Sequence, residues 1–281
     1  MLDRTILEVN YFSSDAITKV QHYEKGSAMS SRSIPDEGRP ARSGGPHPGV
    51  LALVSLGIFL ASLITSAILA GGQTFVSPFA PTGQVAAFFQ QNVAAMRVGG
   101  MLQFGSAVPL GIYAATVYAR QLQLGVRVPG PAISFFGGIS AAIFLMLSGS
   151  ATWLLSRPEI TTDVTLTHAL AFLAFITGGV GFVVGTGLLM AGIAVPALIL
   201  GFMPRWLAWT GLVIAALSEL SFLSMAVEPL QFLLPVGRFG GLLWLVAAGF
   251  LLPRTRAAAN QEPRAHAPGA SQMRGPSRTK P

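Results

Sequence analysis

Long apolar runs, broken by short segments of Gly, Pro and charge, set the pattern along most of this 281-residue chain. A helix crosses the hydrocarbon core of a bilayer in roughly 20 apolar residues, because about 30 Å is covered at about 1.5 Å per residue. Six stretches meet that length, at about 50–70, 94–119, 131–155, 167–193, 206–227 and 231–252. The first closes on Gly71-Gly72, and the second carries Pro109 as a kink and stops at Arg120. The third opens on Pro131, which suits a first helical position, and places Trp153 at interface height. The pattern predicts an all-α polytopic transmembrane bundle of about six spans over 49–253, between a tail at 1–48 and a basic tail at 254–281.

The fourth region is the ambiguous one. Residues 164–204 contain no Asp, Glu, Lys or Arg, and as one straight helix they would measure about 61 Å, twice a bilayer. The distribution of basic residues chooses between one span and two, since cytoplasmic segments carry the excess of Lys and Arg. Of 18 Lys and Arg, six lie in residues 1–49 and six in 253–281. With six spans, fifteen basic residues fall on the side of the two tails; only Arg97, Arg157 and Arg238 fall on the other. A seventh span spoils that asymmetry. The expectation is one span to about Ile193, then Pro196 and a short interfacial piece, in a plasma-membrane protein with both termini cytoplasmic.

Composition sharpens the class. The chain is 52% hydrophobic and 10% charged, with mean hydropathy +0.60, whereas a soluble domain is about a quarter charged. The net charge of +7 sits in the tails, where it fits anionic lipid head groups; nucleic acid is not an expected partner. The C-terminal tail has the composition of a disordered segment. Residues 1–48 lack the apolar core and cleavage site of a secretory signal, and Met29 is a second candidate start. Between the first two spans, the 71–93 loop is expected to hold a short helix, with Phe88 and Phe89 on the membrane surface.

The last two spans cannot form without taking charge into the bilayer. Thirteen uncharged residues separate Arg205 from Glu219, and fifteen separate Arg238 from Arg254, both too few to cross. Glu219 and Arg238 should therefore lie within the hydrocarbon region, where each carries a penalty of roughly 2.5–3.5 kcal/mol unless it is paired or faces a wet cavity. They are equidistant from the Glu228-Pro229 turn, which makes them candidates for an antiparallel salt bridge. Arg97 and His168, at the same ends of their spans, could join this intramembrane polar cluster, extended by Gln103, Ser106, Ser148, Ser150 and Thr152. The structural alternative is a pair that only locks two helices and snorkels to the interface.

Small residues form the other pattern: Gly181 and Gly185, Gly237 and Gly241, and Gly138 with Ala142, each four apart. In lipid such spacing permits close backbone approach, within the chain or, as the alternative, at a dimer interface. The cluster at 178–187 could instead mark an unwound half-helix lining a cavity. Catalytic and cofactor chemistry finds no footing. There is no Cys, no H-E-x-x-H and no G-x-S-x-G, only His168 among four histidines lies near a span, and Asp163 with His168 gives two ligands where a zinc site needs more. No cofactor, metal or enzymatic activity is expected.

Several local stretches resemble a group of multi-span bacterial membrane proteins to which no activity is assigned. They are Phe88-Phe89 followed by Met96-Arg97-Val98-Gly99; Thr167-His168-Ala169-Leu170; Met203-Pro204-Arg205-Trp206; and Pro235-Val236-Gly237-Arg238-Phe239 with Leu243-Trp244. The resemblance covers roughly 50–253 and implies the helix count without supplying a site. Two functions remain: a non-enzymatic structural or accessory component acting in the bilayer through a protein partner or a second copy, and a small transporter using the cluster around Glu219 and Arg238. If those two charges pair, Glu219→Gln or Arg238→Leu alone should lower folded yield more than the double change.

Overall fold

The computed structural model describes residues 45–73 and 75–253; the expectations for both tails, Met29 included, fall outside the described residues apart from the short lead into the first helix. Eight helical elements follow in order, which we label α1 (Pro48–Leu69), α2 (Thr82–Gln91), α3 (Val93–Gln123), α4 (Gly130–Leu154), α5 (Pro158–Thr161), α6 (Val164–Leu200), α7 (Arg205–Met225) and α8 (Glu228–Leu251). No strand occurs among the described residues. All but α2 and α5 are long and apolar enough to cross a membrane, matching the six expected spans.

Local sequence explains the ends. Pro48 and Pro131 stand in the first turns of α1 and α4, where a missing N–H leaves nothing unsatisfied. Asp163 caps α6, its Oδ1 accepting from the Thr165 and Leu166 N–H groups. Gly201 ends α6 at φ 68°, a left-handed conformation that suits glycine.

The fourth span departs from expectation. The helix does not break at Pro196 but continues to Leu200, so α6 holds 37 residues, about 55 Å of helix. Pro196 is accommodated because α4 begins with a glycine at that level: a Cβ on Gly130 would lie 2.3 Å from Pro196 Cγ. The short helix in the 71–93 segment is present as α2, yet Phe88 and Phe89 are buried rather than spread on a surface. They pack with Ala70, Val85, Met96 and Leu155, and Phe75 meets both rings edge-on. Amphipathicity identified the helix; a second apolar cluster beneath the loop decided where its aromatic face went.

Chain neighbours pack as antiparallel neighbours, α1 on α3, α3 on α4, α4 on α6 and α6 on α7, and α8 closes the ring against α7 and α1. Residues at opposite ends of the chain thus come together, with a Cβ on Gly249 only 2.6 Å from the Gly49 nitrogen. We call the end of the bundle holding residues 48 and 251 the tail end, and the end holding 70–92 the loop end. Phe59, Leu110, Tyr113, Phe182, Leu189, Met190, Ile193 and Leu245 fill the interior. Outside stand Ile64, Ile68, Phe136, Ile199 and Leu243, each more than half exposed, an arrangement suited to acyl chains and not to water.

With little hydrophobic drive between helices in lipid, close approach must come from small residues and polar stitches. A Cβ on Gly185 would meet the Ala141 nitrogen at 2.7 Å, and one on Gly149 would meet the Phe104 nitrogen at the same distance. Gly138 faces Ala114, and Gly237 faces Val183 and Ser218. These spacings therefore serve contacts within the chain. Three serines of α1 donate to α3 carbonyls: Ser55 to Ser106, Ser62 to Gly99 and Ser66 to Ala95. Gly185→Leu should destabilise the bundle by roughly 1–3 kcal/mol or more, since the obstacle is backbone. Gly57→Ala, with nothing within 4 Å, should be neutral or slightly stabilising. Unfolding in mixed micelles followed by circular dichroism checks both.

Candidate functional site

Two of the six spans contain π-helical turns. Residues Ile176–Gly181 of α6 and Val236–Gly240 of α8 are π-helical, and the two segments belong to packed helices. A π turn adds a residue to the helix and leaves carbonyls short of their usual i+4 donor; such turns gather at functional sites. Here side chains from neighbouring helices serve those carbonyls. Ser148 Oγ donates to the Ala174 carbonyl at 2.9 Å, and Gln103 Nε2 donates in turn to Ser148 Oγ at 2.9 Å. One turn further on, Arg238 Nη2 donates to the Gly178 carbonyl. Gly178 has no room for a side chain, because a Cβ would lie 2.2 Å from Ser148 Oγ.

Arg238 is thus a cation about 15 Å along α8 from its Glu228 start. Its guanidinium carbon lies 5.6 Å from the Phe59 ring centre and 5.8 Å from that of Phe182. Those rings stack at 6.5 Å, and Phe239 packs on Phe59 at 6.2 Å. The aromatic faces supply cation–π attraction where no carboxylate among the described residues does, but Arg238 Nε is buried without an acceptor.

Beside this aromatic cluster opens a cavity of about 590 Å³. Its deep wall carries Ser62, Gln103, Ser148 and Arg238; its rim at the loop end carries Gln73, Ser77 and Gln231; Leu63, Phe75, Phe88, Phe175 and Leu234 are among its apolar lining. The volume lies within the range of about 300–1,000 Å³ typical of small-molecule sites.

The expected cluster is therefore assembled in part. Arg238, Gln103, Ser148 and Thr152 line the cavity; Glu219, Arg97 and His168 do not. The expected Glu219–Arg238 salt bridge does not form. Glu219 lies on the α6 side of α7, where a Cβ on Gly187 would meet Glu219 Oε1 at 2.7 Å, and that oxygen has no hydrogen-bond partner. Equal distance from the turn fixed the depth of the two residues and left their direction around each helix open. Ser218 takes the position facing α8 instead, its Oγ next to Gly237. Arg97 is exposed on the side of α3, without an ion pair among the described residues. His168 serves the loop: Nε2 donates to the Pro78 carbonyl at 2.7 Å, Nδ1 accepts from Thr82 Oγ1 at 3.3 Å, and the ring packs on Phe172.

Ser62, Ser66, Gln73 and Gln231 belong to the cavity and escaped the sequence reading. The serines were recoverable, since Ser55, Ser62 and Ser66 recur on one face of an apolar helix. The glutamines lie in a loop and an irregular turn, and no periodicity marks them.

Fold and site together define a multi-pass α-helical membrane protein with a cavity within its bundle. No protein family, no curated protein and no solved structure matches the chain. With no ion pair between Glu219 and Arg238, the losses in folded yield from Glu219→Gln and Arg238→Leu should add in the double variant. A double change milder than either single one would reinstate the pair.

Proposed function

We propose that this chain is a non-enzymatic plasma-membrane protein that binds a small ligand in the Arg238 cavity, as a carrier or permease does. One observation carries the reading: a cavity of about 590 Å³ is lined by the half-buried Arg238, whose Nε is buried and lacks an acceptor. Intramembrane cations are expensive, and those that face a cavity are functional candidates by default. The two π-helical segments beside it support the reading, since such turns gather at functional sites. The accessory-component reading draws its support from Glu219, packed between α7 and α6 away from the cavity.

The excess of basic residues on the tail side supports an orientation with both termini in the cytoplasm and the cavity rim on the outer face. The absence of cysteine makes this directly testable with single cysteines. A membrane-impermeant thiol reagent applied to intact cells should label Gln231→Cys at the rim and spare the buried Ser218→Cys. Labelling of Gln231→Cys only after the membrane is opened would reverse the orientation. No labelling in either condition would remove the cavity from the functional argument.

A further inference from the structure

The walls of the cavity bear on what occupies it. Near the tail end α1 and α8 are in contact, with Gly49 against Gly249. Toward the loop end the cavity lies between them: Leu63 and Ala67 of α1 and Pro235 and Phe239 of α8 all line it and are all exposed. Phe59 and Phe239, 6.2 Å apart, mark the level where the two helices part. Around a membrane-spanning bundle, exposure on that flank is exposure to acyl chains. The cavity is therefore polar at depth, with Ser62, Gln103, Ser148 and Arg238, and apolar along a side that faces the bilayer.

Building on the ligand-binding reading, we infer that the ligand is a single-chain amphiphile with an anionic head group, taken from the surrounding leaflet between α1 and α8. Its carboxylate or phosphate oxygens accept from the Arg238 guanidinium and the Gln103 amide, while its chain lies past Leu63, Ala67 and Phe239 into the lipid. A neutral amphiphile would leave the guanidinium unmatched, and a cationic one would be repelled, since no described carboxylate lines the cavity to receive it. A small water-soluble anion would find the head-group site but leave the apolar flank without an occupant. The polar rim of Gln73, Ser77 and Gln231 gives the head group a wet path from the membrane surface.

The test uses the full chain in nonionic micelles, with the fluorescent fatty acid cis-parinaric acid as probe. Oleate should displace the probe, while oleyl alcohol and oleylamine should each require at least tenfold more. Arg238→Gln should weaken oleate at least tenfold and Arg238→Lys should recover part of that loss. Ala67→Trp, on the bilayer-facing flank, should weaken oleate without restoring binding of oleyl alcohol. Each variant is scored only if it elutes as the unaltered chain does, and the head-group series on the unaltered chain needs no variant. Equal displacement by oleyl alcohol, or unchanged oleate binding in a folded Arg238→Gln, overturns the anionic head group. Inorganic phosphate or acetate acting as well as oleate overturns the amphiphile and leaves a ligand cavity standing. A probe that does not bind at all, while Gln231→Cys still labels from outside, overturns the amphiphile alone; with labelling also lost, the ligand-binding reading falls as well.

Discussion

A cation halfway along a membrane-spanning helix must be given partners by the protein, because the bilayer offers none. Arg238 is that cation, and the local architecture of the bundle follows from its needs. Its own helix is π-helical around it, and the helix it reaches is π-helical where it reaches it. The Gly178 carbonyl takes one of its donors, and Phe59 and Phe182 offer their ring faces. Take the charge away and nothing obvious requires two irregular segments to face each other across adjoining helices.

The remaining stability comes from proximity. Glycines let α3 and α4, and α4 and α6, approach until backbone meets backbone, as at Gly149 and Gly185. At that separation dispersion acts along the full length of each contact, and short serine side chains can reach carbonyls on the next helix. Such hydrogen bonds average about 0.6 kcal/mol in a membrane bundle, so no single stitch governs the fold. The set of them keeps α1 seated on α3 while its other flank parts from α8, and the cavity persists on that side. Tight packing between α1 and α3 and an opening between α1 and α8 toward the loop end are thus one arrangement.

The failure of the Glu219–Arg238 pairing is instructive. Helical hairpin arithmetic gives depth, and both residues do lie within their spans. Azimuth around the helix axis is a separate variable, and it depends on the local twist. The π turn at Val236–Gly240 and the 3₁₀ turn at Ser221–Met225 both change that twist between the turn and the charged residue. A count of residues assuming regular helices cannot carry direction through two irregular turns. Glu219 is left against Gly187 on α6, and Arg238 points to Gly178 of the same helix.

The amino-acid sequence by itself determined the six apolar segments, all their ends to within a few residues except that of the fourth, and the presence of Glu219 and Arg238 inside two of them, because each depends on length, hydropathy and spacing along one helix. It also marked Gln103, Ser148, Thr152 and Arg238 as a group of polar residues at similar depth. The continuation of α6 past Pro196, the burial of Phe88 and Phe89, the two π-helical segments and the cavity were decided only by tertiary structure. Each depends on what a neighbouring helix presents: Gly130 beside Pro196, Leu155 and Met96 beneath the loop, Arg238 beside the Gly178 carbonyl. Periodicity reports which residues share a face, and contact between faces is a property of the assembled bundle.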